Sequence, residues 1–253
     1  MMVEAMGVAA TSETLAAIRE SGRLALSERE GLNLLSSFGV RVPAHALVTN
    51  TDELNQSLSE MSFPVVLKVD SADIAHKSDV GGVRVGCRSA EEAERAFAEI
   101  LSSVERACPT ATIGGVLVEE QIEGTAECFI GAHHDPEFGP VIGFGLGGIF
   151  VELIGDLVWR AAPVDHGEAL RMIHESRALE VLAGWRGKPP ADMAALASAI
   201  ANVSDLVWAL RAEVAEMDVN PLIVGPAGAV AADSFVLLKH SDQENVLQRE
   251  TRE

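Results

Sequence analysis

The stretch Met217-Asp218-Val219-Asn220-Pro221-Leu222-Ile223-Val224-Gly225-Pro226-Ala227-Gly228-Ala229-Val230-Ala231-Ala232-Asp233 reads as two apolar strands joined by a turn. Gly and Pro at its centre supply what a tight connection needs. With 225–228 as the loop, Val224 pairs with Ala229 and Asn220 falls opposite Asp233. Asp218 stands two residues before Asn220, so strand alternation puts both on one face. Oxygen donors gathered like Asp218, Asn220 and Asp233 suit a hard cation such as Mg²⁺, which is completed by water and phosphate oxygens. A one-residue slip in the loop turns Asp233 to the other face. The same pattern also suits a hairpin whose acids are merely solvated.

Around this hairpin lie 253 residues, 48% of them hydrophobic, enough to bury a core in one large domain or two lobes. The 19 basic and 38 acidic residues give a formal charge of −19. Such a surface repels phosphate backbones and argues against general nucleic-acid binding, while leaving room for a local nucleotide pocket. Cys87, Cys108 and Cys128 are odd in number and lack metal-ligand spacing, which argues against a disulfide framework or a zinc site and fits a reducing cytoplasm. Neither a signal peptide nor a membrane span is read from the sequence.

The remaining pattern is mixed. Ser27 to Phe38 reads as a helix with Ser27 as cap and Glu30 at capping-box spacing, stopped by Gly39. Helices are also expected at 51–61, 90–104 (capped by Ser89), 165–175 and 192–210. Strands are expected at 64–69, 81–87, 116–121, 127–132, 141–144 and 157–161, with 40–48 extended. This order indicates an α+β protein of two lobes. We divide it into an N-terminal segment 1–24, a first lobe 25–123, a second lobe 124–238 and a loose tail 239–253.

Several side chains stand out. Lys68 is the single charge inside the apolar strand 64–69 and requires an anionic partner, either a structural carboxylate or a nucleotide phosphate. His76 lies in the polar loop 70–79, where an imidazole serves as acid, base or phosphoryl acceptor, or is simply solvated. Gly143-Phe144-Gly145-Leu146-Gly147-Gly148 follows an apolar strand and can present successive N–H groups to an anion, or act as a plain turn. It is neither a P-loop nor a dinucleotide fingerprint. Glu119, Glu120 and Glu127 flank the lobe break and can meet ribose or Mg²⁺. Arg160 and Arg186 can fork onto phosphate or onto some of the many acids.

Taken in order, these segments resemble the ATP-grasp domain of the NDP-forming acyl-CoA synthetases, in particular the β subunit of ADP-forming acetate–CoA ligase. The resemblance rests on Phe63 to Lys68, His76-Lys77-Ser78-Asp79-Val80-Gly81-Gly82-Val83, Asp135 to Pro140, and Phe144-Gly145-Leu146-Gly147-Gly148-Ile149-Phe150-Val151-Glu152. Arg160 to Pro163, Gly184 to Gly187, Asp218 to Leu222 and Asp233 complete it. It implies an ATP-grasp fold with ATP or ADP held between two lobes. It further implies Lys68 on phosphates, Glu119, Glu120 and Glu127 on the nucleotide side, and Mg²⁺ on Asn220 and Asp233 beside Asp218. His76 would accept and relay a phosphoryl group, with Gly147, Gly148 and Arg160 around the transferred group. One departure is Asp233-Ser234-Phe235, where relatives often carry a small and then a basic residue.

The reaction so implied is acyl-CoA + ADP + phosphate ⇌ acid + CoA + ATP. No CoA-binding domain is read in this sequence, so the resemblance implies a separate α subunit, as α2β2, that brings CoA and a carboxylic acid. Two alternatives are an ATP-grasp carboxylate–amine ligase, which has no need of a relay histidine, and a non-catalytic nucleotide-binding regulatory subunit.

Overall fold

The computed structural model describes residues 2–74, 76–148, 157–184 and 187–239, with side chains from residue 11 onward. Helices and antiparallel strands alternate along the chain, as an α+β protein requires. Two compact units are present: Ser27–Arg29 with Pro43–Ile122 forms the smaller, and the remaining described residues form the larger.

In the smaller unit, β1 (His45–Val48), β2 (Val65–Asp70), β3 (Val83–Cys87) and β4 (Gly115–Glu120) form an antiparallel sheet in the order β1-β4-β2-β3. Helices α3 (Thr51–Leu58) and α4 (Ala90–Ala107) complete the unit. Both begin on side-chain caps: Asn50 accepts from the Glu53 amide at 3.0 Å and Ser89 from the Glu92 amide at 3.3 Å. The buried stripe of α4 (Ala93, Ala96, Phe97, Ile100, Val104) recurs at helical spacing and packs in one core with Val65, Leu67, Val69, Val116 and Val118. Alternation on β2 and β4 therefore turns Lys68, Asp70, Leu117 and Glu119 to the opposite face of the sheet. That second face is also covered, since every residue of β2 is buried.

The larger unit is built on β5 (Ala126–Asp135), β6 (Gly139–Leu146), β7 (Val158–Ala161), β8 (Val214–Gly225), β9 (Gly228–Ala231) and β10 (Ser234–Leu238). Its order is β10-β8-β5-β6-β7, and β9 also pairs with β8. Helices α5 (His166–Glu175), α6 (Ala178–Leu182) and α7 (Met193–Ala209) follow β7, and α7 packs on β5, β6 and β9. Asp165 and Asp192 cap α5 and α7. The hairpin pairs Val224 with Ala229 as the sequence predicts, and Gly225 with Gly228, leaving Pro226-Ala227 as the turn.

Two further helices accompany the N-terminal part, α1 (Met2–Glu20) and α2 (Glu28–Ser37). Helix α1 lies where the sequence pattern gave only an N-terminal segment; its Ala, Met, Leu and Glu content favours helix without an obvious apolar stripe. The five-residue α6 was likewise not expected. Among the described residues no helix is long and apolar enough to cross a membrane. The segments 149–156 and 185–186 and the tail from His240 lie outside the described residues.

Candidate functional site

Lys68 has the anionic partners that its strand demands, and they are carboxylates. Its Nζ lies 2.5 Å from Glu28 Oε1 and 3.0 Å from Glu119 Oε2. The second oxygen of Glu28 meets Lys77 Nζ at 2.9 Å. Side-chain exposure is 10% for both lysines, 0% for Glu28 and 2% for Glu119, so the cluster is internal. Burial alone raises the Glu28 pKa, but Lys68 and Lys77 outweigh it and hold the carboxyl below its ordinary range. Beside it, Asp70 Oδ1 accepts from the Arg29 amide at 3.3 Å, docking the first turn of α2 on the same strand. Glu28 escaped the sequence reading, which assigned Ser27 and Glu30 to capping. The unmet charge of Lys68 was the available signal for it.

His76 is exposed at the start of a turn that closes on itself. The Asp79 amide donates to His76 O at 3.3 Å and the Gly82 amide to Lys77 O at 2.7 Å. Lys77 is thus turned inward to Glu28 while its neighbour His76 faces out. Glu119 and Glu120 diverge by strand alternation. Glu119 joins Lys68, whereas Glu120 Oε1 accepts from the Ser62 amide at 2.7 Å.

In the larger unit, Asp218 and Asn220 alternate with buried Met217 and Val219 and share a half-buried face of β8. Ala231 pairs with Leu222, the Ala232 amide donates to Pro221 O at 3.0 Å, and Ser234 pairs with Val219. Asp233 therefore falls opposite Asn220, in one register running from β9 to β10. Its Oδ1 accepts from the Ser234 amide at 2.7 Å. Burial first, then the nearby Glu216 carboxylate, push Asp218 up to about 6 against the opposing effect of His133. A dication at this face would relieve both unfavourable effects, so the donor set fits a divalent metal. Among the described residues no three His, Cys, Asp or Glu side chains form a closed metal cage. Two carboxylates and an amide leave the other positions to water and phosphate, as Mg²⁺ is commonly held.

The glycine run divides in two. Gly143 and Gly145 belong to β6 and pair with Gly131 and Phe129. A Cβ on Gly143 would stand 2.8 Å from the Trp159 ring, so this glycine seats an aromatic side chain. Trp159 in turn meets His133 edge-on at 5.0 Å. Only Gly147 and Gly148 lie beyond the strand. The Gly147 amide donates to Glu127 O at 2.9 Å and the Gly148 amide to Asn220 Oδ1 at 3.1 Å. Instead of a row of amides open to an anion, these two tie the loop to β5 and to Asn220. A Cβ at Gly147 would stand 2.7 Å from Cys128 O, which explains glycine there by close approach. Glu127 itself is exposed next to this turn.

Arg160 forks onto two acids of α5: Nε donates to Glu168 Oε1 at 2.6 Å and Nη2 to Glu175 Oε2 at 2.7 Å. The structure thus gives it carboxylate partners, the plainer of the two roles open to it. Arg186 and the 149–152 part of the glycine motif fall outside the described residues.

Two antiparallel sheets, one with a lysine sunk in an inner strand and one with an acid–amide strand beside a glycine turn, mark an α+β class suited to metal–nucleotide phosphates. The chain belongs to the ATP-grasp family, whose ATP-grasp domain pattern matches residues 17–238. It is 38% identical over 213 residues to the beta subunit of acetate–CoA ligase [ADP-forming] I of Pyrococcus furiosus, covering 84% of this chain and 91% of that one. With the acetate–CoA ligase [ADP-forming] I of Archaeoglobus fulgidus it shares 42% identity over 209 residues, which span 83% of this chain but 30% of that enzyme. The acetyl-coenzyme A synthetase 1 of Ca. Korarchaeum cryptofilum, solved with coenzyme A and Ca-AMPCP, superposes with a TM-score of 0.86 at 40% identity, covering 90% of this chain and 99% of that one. The same synthetase with coenzyme A and Mg-AMPPCP, its phosphohistidine segment pointing towards the nucleotide-binding site, gives 0.78 at 38% identity and covers 90% and 100%.

Lys68→Met removes a buried cation from two carboxylates and is expected to cost on the order of 3–5 kcal/mol in urea unfolding of the full chain. Adding Glu119→Gln, which restores the balance while Glu28 stays paired with Lys77, should recover most of that loss. For Asp218 the folded pKa, about 6, lies above the unfolded value. The protonated form therefore favours the fold, and this contribution fades as pH rises through about 6. Metal-free Asp218→Asn should thus melt above wild type at about pH 7.5, with the gap closing towards about pH 4.

Proposed function

We propose that this chain is the nucleotide-binding β subunit of an ADP-forming acyl-CoA synthetase, working in the cytoplasm with a separate α subunit as α2β2. The α subunit brings CoA and the carboxylic acid. The net reaction is acyl-CoA + ADP + phosphate ⇌ acid + CoA + ATP, through an acyl phosphate and phosphohistidine. This chain contributes the exchange of a phosphoryl group between an imidazole and the nucleotide. In the ATP-forming direction the N–P bond at His76 breaks as a β-phosphate oxygen of ADP takes the phosphorus. In reverse, the imidazole nitrogen attacks the γ-phosphorus and ADP leaves.

Such transfer needs positioning and charge neutralisation more than covalent help from the protein. Lys68 donates to phosphate oxygens by exchanging one of its carboxylate partners, and Arg160 does so by releasing Glu168 or Glu175. Asp218, Asn220 and Asp233 would hold Mg²⁺, which neutralises phosphate charge when bound. The Gly148 amide keeps Asn220 in place, and Glu119 lies with Lys68 on the nucleotide side of the smaller unit. The observation that carries this reading is the single register through β8, β9 and β10, which sets Asp233 opposite Asn220 beside Asp218.

The test is phosphoryl transfer from γ-³²P-ATP and Mg²⁺ to the full chain, with and without its CoA-binding partner subunit. An acid-labile, base-stable label that disappears in His76→Ala is the expected result. Nucleotide binding with no label under either condition would exclude the relay and favour an amine ligase or a regulatory subunit.

A further inference from the structure

One buried carboxylate is shared by two lysines with different neighbours. Glu28 Oε1 holds Lys68, the residue assigned above to phosphate, at 2.5 Å, and Glu28 Oε2 holds Lys77, adjacent to His76, at 2.9 Å. All four charges of the cluster, Glu28, Lys68, Lys77 and Glu119, belong to the smaller unit, and formally they cancel. Buried ion pairs seldom repay their desolvation relative to apolar packing, so stability alone is a weak reason for building one here.

The turn carrying His76 is anchored on either side by Ile74 and Val80, which pack on the core of the smaller unit. Lys77 O accepts from the Gly82 amide at 2.7 Å, and Gly82 O accepts from the Val69 amide at 2.8 Å, one residue from Lys68. That backbone chain fixes the base of the turn. Between these anchors the Lys77 side chain reaches inward to Glu28, while His76, Ser78 and Asp79 are exposed.

We propose that Glu28 is a positioning residue that couples what binds at Lys68 to the placement of His76. A phosphate oxygen that draws Lys68 away lifts one cation from Glu28, and the full carboxylate charge then falls on Lys77. Lys77 is then held more strongly at Glu28, which restrains the turn that carries His76. Glu28 touches neither phosphate nor imidazole; it acts through the two lysines. The inference rests on the nucleotide reading of Lys68 given above.

The test reads His76 directly. Full-length chain is treated with diethylpyrocarbonate with and without Mg-ADP, and carbethoxylation of His76 is followed by site-resolved mass spectrometry. Mg-ADP affinity is measured in parallel by calorimetry. In wild type, Mg-ADP should change the His76 rate by about fivefold or more. In Glu28→Gln and in Lys77→Met the change should fall within about twofold, with Lys77→Met binding Mg-ADP within about threefold of wild type. If Glu28→Gln fails to fold, Lys77→Met decides alone. A nucleotide effect on His76 that survives in Lys77→Met reflects direct shielding and overturns the coupling. Loss of Mg-ADP binding in Lys77→Met also overturns it, because Lys77 would then be a nucleotide ligand. Wild type that binds Mg-ADP without any change at His76 overturns it as well. Wild type that binds no Mg-ADP removes the nucleotide reading itself, and this inference with it.

Discussion

An ammonium group in an apolar strand survives only where carboxylates meet it, and much of the smaller unit is arranged so that two do. Lys68 is brought to Glu119 by the pairing of β2 with β4, and to Glu28 by the first turn of α2. Asp70, two residues on, takes the Arg29 amide and holds that turn down. Lys77 then shares Glu28, which ties the His76 turn to the same point. Loss of Lys68 would therefore disturb the sheet face, the helix start and the turn together. The four charges formally cancel, so on the proposed reading an incoming phosphate would compete with carboxylates for Lys68. Such competition would lower affinity and let the cluster register occupancy.

The larger unit meets a different constraint. β8 is 12 residues long and serves two partners on one edge, β9 and β10, with Ala232-Asp233 as the interruption. Because the register is kept across the gap, Asp233 lands opposite Asn220 without being part of a ladder. The Gly148 amide fixes the Asn220 carboxamide, and Asp218 stays half-buried next to Glu216 with its proton affinity raised. The face is therefore unfavourable for anionic side chains in the absence of a cation, a common state for acids that await a metal.

Much of this was legible in the chain. Gly225-Pro226-Ala227-Gly228 between apolar runs gave the hairpin and its Val224–Ala229 pairing, because turn chemistry and alternation act locally. Ser89, Asp165 and Asp192 gave helix starts for the same reason. The need of Lys68 for an anion was also local, but the identity of the partner was not: choosing Glu28 among 38 acids depends on which turn docks on β2. The glycine run misled because its spacing suggests one loop, whereas half of it is strand. Gly143 answers to the Trp159 ring and Gly147 to the Cys128 carbonyl, contacts that exist only once β5, β6 and β7 are assembled. Arg160 shows the same limit, since its acids come from a helix that begins five residues after β7 ends.

On the proposed reading this chain binds a nucleoside diphosphate through a metal held by Asp218, Asn220 and Asp233. Calorimetric titration of ADP into the full chain, once with Mg²⁺ and once with EDTA, tests it most directly. One ADP per chain, bound at least about tenfold more weakly in EDTA, is the predicted result. Equal affinity under both conditions, or no binding in either, would contradict it.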